Sequence, residues 1–262
     1  MRMDLGALIL AVLARPALRG RSRAAWRSAA LLGLSLAVMN LSFYSALAHL
    51  PIGVAVTIEF LGPLGLAAAI SRRARDLGAV VLALLGVVAV SGVLAADWTT
   101  LDPTGIALAA TAGACWAGYI LAARSVGRLW AELDGLSVAM GVGAVLLTPF
   151  LVISATTTPI AGPQLATGVA VAVLSSVVPY SLELLALRRI DTRVFGILLS
   201  LDPAVAAVAG LLILGEALGA MELLGMALVV AASVLVVVSA PSAAGPAATS
   251  DREALTDIAE IG

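Results

Sequence analysis

The feature that most constrains this sequence is a series of continuous apolar runs, each about 20 residues long, separated by short segments rich in Gly, Pro, Arg or Asp. A helix of ~20 residues at 1.5 Å per residue crosses a ~30 Å hydrocarbon core. Barrel strands would alternate apolar and polar residues, and these runs do not. The pattern therefore predicts an all-α fold, a polytopic membrane helical bundle.

Composition excludes several other classes of protein. Hydrophobic residues make up 61% of the chain and charged residues 12%, whereas soluble domains typically have about 45–50% and about 25%. A soluble globular domain and a disordered chain are both excluded. With one cysteine and one histidine, the chain lacks the three or four ligands of a zinc or iron–sulfur site, so no metal or other cofactor is expected. A net charge of −1 gives no sign of nucleic-acid binding.

Hydropathy and loop residues together predict about nine spans. The first is too short to cross a ~30 Å core alone, and the other eight have suitable lengths. The tail at 240–262 is rich in Ala, Ser, Pro and acidic residues and is predicted to be disordered. The expected spans are 4–14, 28–48, 51–71, 77–95, 104–123, 135–154, 165–187, 194–214 and 219–239.

The arginines predict the orientation. All 15 basic residues are arginines, and they cluster in alternate loops at 15–27, 72–75, 124–128 and 188–193. The positive-inside rule assigns these loops and the C-terminal tail to the cytoplasm. Arg2 alone is left for the outer side, so the N-terminus is predicted to lie outside.

A weak internal repeat appears when the sequence is shifted by 140 residues. Pro63 then falls on Pro203, and Asn40 falls on Tyr180. The two copies cross the membrane in opposite directions, as in the inverted repeats of many secondary transporters. We therefore predict two inverted five-helix repeats, an incomplete first one at 1–98 that lacks its first helix and a second one at 104–239.

Three blocks of sequence resemble the EamA family of the drug/metabolite transporter superfamily, and within it the bacterial threonine/homoserine exporters. They are NLSFYSALAHLPIGVAVTIEFLGPLGLAAAISRR at 40–73, GACWAGYILA at 113–122 and VPYSLELLALRRIDTRVFGILLSLDP at 178–203. The resemblance implies a multi-pass protein of the bacterial plasma membrane with ten helices and both termini in the cytoplasm. It also implies export of small amino acids or related metabolites, driven by proton exchange.

The chain departs from the family at its start. The family's first helix is absent, and residues 5–14 resemble the end of the second. We therefore expect an N-terminally shortened form in which transport is impaired. The alternative is a protein of eight or nine helices that closes the gap by forming a homodimer.

Three acidic residues fall within the predicted spans away from the first few residues of a span: Glu59, Glu183 and Asp202. A carboxylate in a bilayer is costly, so each is a candidate for binding a substrate amine or a proton. The alternatives are bonding to a neighbouring helix or, for Glu183, reaching water at the cytoplasmic end. Prolines cannot donate to the carbonyl four residues earlier, so helix breaks are expected at three positions: Pro63, Pro179 and Pro203.

Polar and aromatic residues in the middle of the spans complete the candidate site. Asn40 and Tyr44 share one face of the second span, and Trp116 and Tyr119 are three residues apart on the fifth. With Tyr180, they are predicted to line a central cavity, although helix packing would explain them equally well. Close helix contacts are expected at four glycines: Gly86, Gly113, Gly141 and Gly210.

Two other function classes remain. An intramembrane enzyme with a Ser/His pair would need a buried histidine, and His49, the only one, is predicted at a helix end, so the chain is not expected to be an enzyme. A channel or a non-transporting membrane protein is disfavoured by the inverted repeat and the proline-broken helices. Among transporters, a drug/metabolite carrier for another substrate class stays open.

Overall fold

The computed structural model describes residues 2–97, 99–157, 162–215 and 218–239, and these residues contain helices and no strands. The predicted tail at 240–262 lies outside the described residues. The described ranges contain eleven α-helices: α1 Arg2–Ala14, α2 Arg23–Ala46, α3 Ile52–Ile70, α4 Ala74–Val90, α5 Pro103–Leu129, α6 Asp134–Thr157, α7 Gly162–Ala172, α8 Val178–Arg189, α9 Thr192–Leu198, α10 Leu201–Ala209 and α11 Ala220–Ser239.

Polar residues determine where several helices begin. The Ser22 hydroxyl accepts from the Ala25 N–H at 3.1 Å and caps α2. The Asp102 side chain accepts from the Thr104 N–H at 2.8 Å and caps α5. Pro103 follows at the first helical position, where an N–H group would have no partner within the helix. Such caps satisfy N–H groups that have no partner within the helix.

Seven helical stretches in the described residues are long and apolar enough to cross a membrane. The all-α membrane bundle is therefore confirmed, and the chain is a multi-pass membrane protein. Helices α1 and α4 are shorter, at 13 and 17 residues, so the count of nine spans stays a prediction. The seven stretches are Arg23–Ala46, Ile52–Ile70, Pro103–Leu129, Asp134–Ile153, Leu165–Arg189, Thr192–Ile213 and Ala220–Val238.

The prolines act differently at the three expected breaks. Helix α3 runs from Ile52 to Ile70 with Pro63 inside it, so the break predicted there is wrong. A helix tolerates one unbonded carbonyl where a neighbouring helix covers it, as α5 does here. Before Pro179, the backbone widens into a π-helical segment, Val173–Val177, that joins α7 to α8.

The third proline lies next to an interruption. Helix α9 ends at Leu198 and α10 begins at Leu201. The Leu199 carbonyl accepts from the Asp202 N–H at 3.0 Å, so Pro203 does not leave it free as the sequence suggested. A second π-helical segment, Gly210–Leu214, follows α10.

Helix α5 lies at the centre, packed against α2 and α3, while α4 pairs with α11, α1 with α6 and α3 with α9. One very close crossing joins α3 to α5 without side chains between the backbones. A Cβ at Gly62 would overlap the Gly113 backbone, and one at Gly113 would lie 2.7 Å from the Glu59 carbonyl oxygen. Close contact was thus correctly predicted for Gly113 and for Gly86, but not for Gly141, which has open space beside it.

Candidate functional site

A chain of buried polar side chains connects α5, α8 and α2. The Tyr119 hydroxyl donates to Glu183 Oε2 at 2.8 Å. The Tyr119 and Tyr180 rings lie 5.8 Å apart between centroids. The Asn40 amide nitrogen donates to the Leu36 carbonyl at 2.8 Å and approaches the Tyr180 hydroxyl at 3.4 Å. Four predicted residues from three different spans therefore lie in one polar network.

Arg2 extends this network to a cavity of about 360 Å³. Its guanidinium donates to the Asn40 side-chain oxygen and to the Ser175 hydroxyl, and lies 5.5 Å from the centre of the Tyr44 ring. Tyr44 is 55% exposed and lines the cavity together with Arg2, Asp4 and Asn40. The cavity thus presents a cation, a carboxylate, an amide and an aromatic ring.

Arg2 was not among the site residues predicted from the sequence. One signal was available, because Arg2 is the only arginine assigned to the outer side. Which residues it would contact could not be read from the sequence, because its side chain reaches Asn40 and Tyr44 of α2 only in the folded bundle, where α1 packs against α6 and α7.

Glu59 lies on α3 in a second region, next to an aromatic pair. Its side chain is 9% exposed, and no hydrogen bond or ion pair joins it to another described residue. The neighbouring Phe60 packs edge-on against Trp116 of α5, with 4.9 Å between ring centroids. The backbone carbonyl that Pro63 leaves without a donor faces Gly113. Glu59 is therefore a buried carboxyl group without a hydrogen-bond or ion-pair partner among the described residues.

Asp202 differs from the other two acids because it is exposed on the described bundle. It follows the interruption between α9 and α10, and its carboxyl group is near enough to interact electrostatically with Glu183. A charged group next to a buried, hydrogen-bonded carboxyl group can change that group's affinity for protons. Asp202 therefore adjoins the polar network without a hydrogen bond to it.

The two ends of the α3–α9/α10 contact are not alike. At one end, a Cβ on Gly196 would lie 3.0 Å from the Pro63 carbonyl oxygen, so the backbones touch. At the other end, a cavity of about 540 Å³ separates Ile52 and Val56 of α3 from Pro203 and Ala207 of α10. The bundle is therefore closed between these helices at one end and open at the other.

Comparison with known proteins agrees with these features. The profile of the EamA-like transporter family matches residues 103–238. The threonine/homoserine exporters RhtA of Salmonella typhimurium (strain LT2) and of Escherichia coli (strain K12) are 41% and 40% identical to this chain. Each alignment spans 235 residues, which is 89% of this chain and 78% of the exporter.

A solved crystal structure with 20% sequence identity superposes with a TM-score of 0.74, covering 91% of this chain and 85% of that one. At that identity, the likeness concerns the fold alone. The identity to the exporters and the family match over residues 103–238 show the family as well as the fold. The resemblance noted in the sequence is confirmed, and the chain belongs to the EamA-like transporter family.

Proposed function

We propose that this protein is a secondary transporter of the bacterial inner membrane that exports small amino acids resembling threonine and homoserine in exchange for protons. The observation that carries the proposal is the polar network from Arg2 to Glu183, whose middle residues Asn40, Tyr180 and Tyr119 are buried. Polar groups inside an apolar bundle are costly and are usually retained for function. The names of the two aligned exporters support the substrate class.

The chemistry of the site suits a zwitterion. The Arg2 guanidinium can pair with a substrate carboxylate, and Asn40 and Tyr180 can bond a side-chain hydroxyl. Glu183 and Glu59 are the proposed acceptors of the substrate ammonium group or of the coupled proton. Tyr44, Trp116 and Tyr119 would form aromatic walls around the path, and Asp202 would adjust the charge beside Glu183. Transport requires no bond-making step, so no catalytic residue is assigned.

We further propose that two inverted repeats, 1–98 and 104–239, form the bundle. Residues related by the 140-residue shift meet each other at two places, as residues near a two-fold axis would. Asn40 approaches Tyr180 at 3.4 Å, and a Cβ on Gly143 would lie 2.9 Å from the Met3 side chain. The closed end at Gly196 and the open end at Val56 would then exchange during transport, because 56 and 196 also differ by 140.

The arginine-rich loops are proposed to face the cytoplasm, together with the C-terminus. Several of them gather at one end of the bundle, which supports this orientation. Arg21 pairs with Asp134 at 2.9 Å, and Arg188 donates to the Trp130 carbonyl at 3.1 Å. At the opposite end, His49 contacts Asp102 at 2.6 Å.

Efflux of labelled threonine, homoserine and other amino acids from loaded cells that lack their own exporters tests the function. We expect Glu59→Gln to abolish or greatly weaken efflux while the protein still reaches the membrane. Glu132→Gln, which makes the same change at an exposed position, is the matched control and should keep the wild-type rate. Wild-type efflux by Glu59→Gln would make Glu59 structural only. Absence of efflux for every amino acid in the wild type would refute the substrate class.

Cysteine labelling tests the orientation separately. With Cys115→Ala as the background, an impermeant maleimide added outside should label Thr99→Cys and should not label Ala74→Cys. Labelling of position 74 alone would reverse the orientation of the whole bundle.

A further inference from the structure

A basic cavity of about 660 Å³ lies at the arginine-rich end, between the C-terminal ends of α3 and α5 and the start of α9. It is separate from the polar network and from the two cavities described above. Most of its polar lining is arginine, with a single acidic residue. The lining residues are Ile70, Arg72, Arg73, Leu121, Arg124, Ser125, Arg128, Asp191, Thr192 and Arg193.

Two of these arginines have protein partners. Arg193 pairs at 2.8 Å with Asp76, which is 1% exposed, so this charge is neutralised behind the cavity wall. The Nε atom of Arg193 is buried without a hydrogen-bond partner. Arg124 donates to the Thr192 hydroxyl and lies 3.9 Å from Asp191, a partly exposed pair of little energetic weight.

The other three arginines lack a counter-ion. Within the described part of the chain, no hydrogen bond or ion pair joins the guanidinium group of Arg72, Arg73 or Arg128 to another residue. Two come from the turn after α3, and Arg128 lies one helical turn beyond Arg124 on α5. Like charges gathered round one cavity repel each other, and an anion bound between them would remove that repulsion.

The cavity also has an apolar side. Leu121, one turn before Arg124 on α5, is 49% exposed, and Ile70 at the end of α3 is exposed as well. Both side chains lie on membrane-spanning helices, directly beneath the arginines. A ligand that fits this arrangement has an anionic head and a hydrocarbon part. A free phosphate ion has no hydrocarbon part.

We propose that this cavity binds the phosphate of an anionic phospholipid headgroup, with an acyl chain along Leu121 and Ile70. Guanidinium groups bind phosphate oxygens in a bidentate manner, and basic pockets between membrane helices hold anionic headgroups. The bound phosphate would contact Arg72, Arg73 and Arg128 and would bridge α5 to the turn after α3.

The test compares two triple variants of the full chain in neutral detergent. Arg72→Gln/Arg73→Gln/Arg128→Gln removes the three arginines that lack a counter-ion, so no internal bond is lost. The control variant, Arg19→Gln/Arg23→Gln/Arg27→Gln, removes the same charge from exposed positions in the arginine-rich segment 15–27. Native mass spectrometry measures phosphatidylglycerol adducts, and the melting temperature is measured with phosphatidylglycerol, with phosphatidylcholine or with inorganic phosphate.

We expect phosphatidylglycerol to bind and stabilise the wild type and the control variant, and phosphatidylcholine to do neither. At about fivefold per arginine, the cavity variant should bind phosphatidylglycerol ~100-fold more weakly. Equal binding by the cavity variant, or an equal loss in the control variant, would overturn the proposal. Displacement of the lipid by inorganic phosphate with the same stabilisation would identify a soluble anion instead, and would also overturn it.

Discussion

The crossing of α3 and α5 at Gly62 and Gly113 makes a quantitative prediction for Gly113→Ala. The added Cβ would lie 2.7 Å from the Glu59 carbonyl oxygen, whereas ordinary contacts begin at 3.4 Å, so the backbones must separate by about 0.7 Å. Overpacking of this kind costs about 1–3 kcal/mol. Replacing glycine by alanine in a helix returns about 0.5–1 kcal/mol. The clash outweighs the propensity gain, and a net loss of about 1–2 kcal/mol is expected.

At about 2–4 °C per kcal/mol for chains of 150–250 residues, the melting temperature of Gly113→Ala should fall by about 2–8 °C. Thermal unfolding of the purified protein in detergent measures this. Gly65→Ala on α3 is the control, because nothing lies within 4 Å of its added Cβ, and its melting temperature should stay level or rise slightly. If both variants have the melting temperature of the wild type, the two backbones are not in contact and the reasoning fails.

Three further changes test other contacts. Tyr119→Phe leaves a partly buried oxygen of Glu183 without its donor, so the free energy of unfolding should fall by about 1–3 kcal/mol in denaturant titrations; no change would mean that water replaces the hydroxyl. Asp76→Ala leaves the Arg193 charge partly buried and unpaired, and a loss of about 3–5 kcal/mol is expected, which unchanged thermal melting would contradict. The hydrogen bond from the Thr104 N–H, and after it the one with His49, lower the pKa of Asp102 in the folded protein. The ionised Asp102 carboxylate therefore stabilises the fold above its unfolded pKa of about 3.9. This stabilisation is lost as the pH falls through the lower pKa of the folded state. Asp102→Ala should therefore melt earlier than the wild type at pH 7 and lose this difference at the lowest pH; a constant difference would exclude the linkage.

The sequence predicted the helices well because burial in lipid demands long apolar runs with polar residues at their ends. Every predicted span corresponds to helical structure in the described residues. The resemblance on the 40–73, 113–122 and 178–203 blocks also gave the family, because those motifs are specific at that level.

The close contacts between helices were harder to predict. Gly113 was expected to be a contact point, but its partner Gly62 was not, because periodicity does not tell which helices meet. Gly141 was also expected to be a contact point, but it has open space beside it. The unbroken α3 at Pro63 depends on how α5 covers it, which is a property of tertiary packing rather than of local sequence.

Helix α5 contacts both acidic residues at different levels. Gly113 contacts the Glu59 backbone, and Tyr119, six residues later, donates to Glu183, so the two contact positions on α5 are about 9 Å apart along the helix. That is about 0.3 of a ~30 Å core. One charge moved across the whole membrane at 100 mV is worth about 2.3 kcal/mol, so a proton moved over that distance along the membrane normal would gain or lose about 0.7 kcal/mol from the voltage. A proton transfer between the levels of these two contacts would therefore be electrogenic.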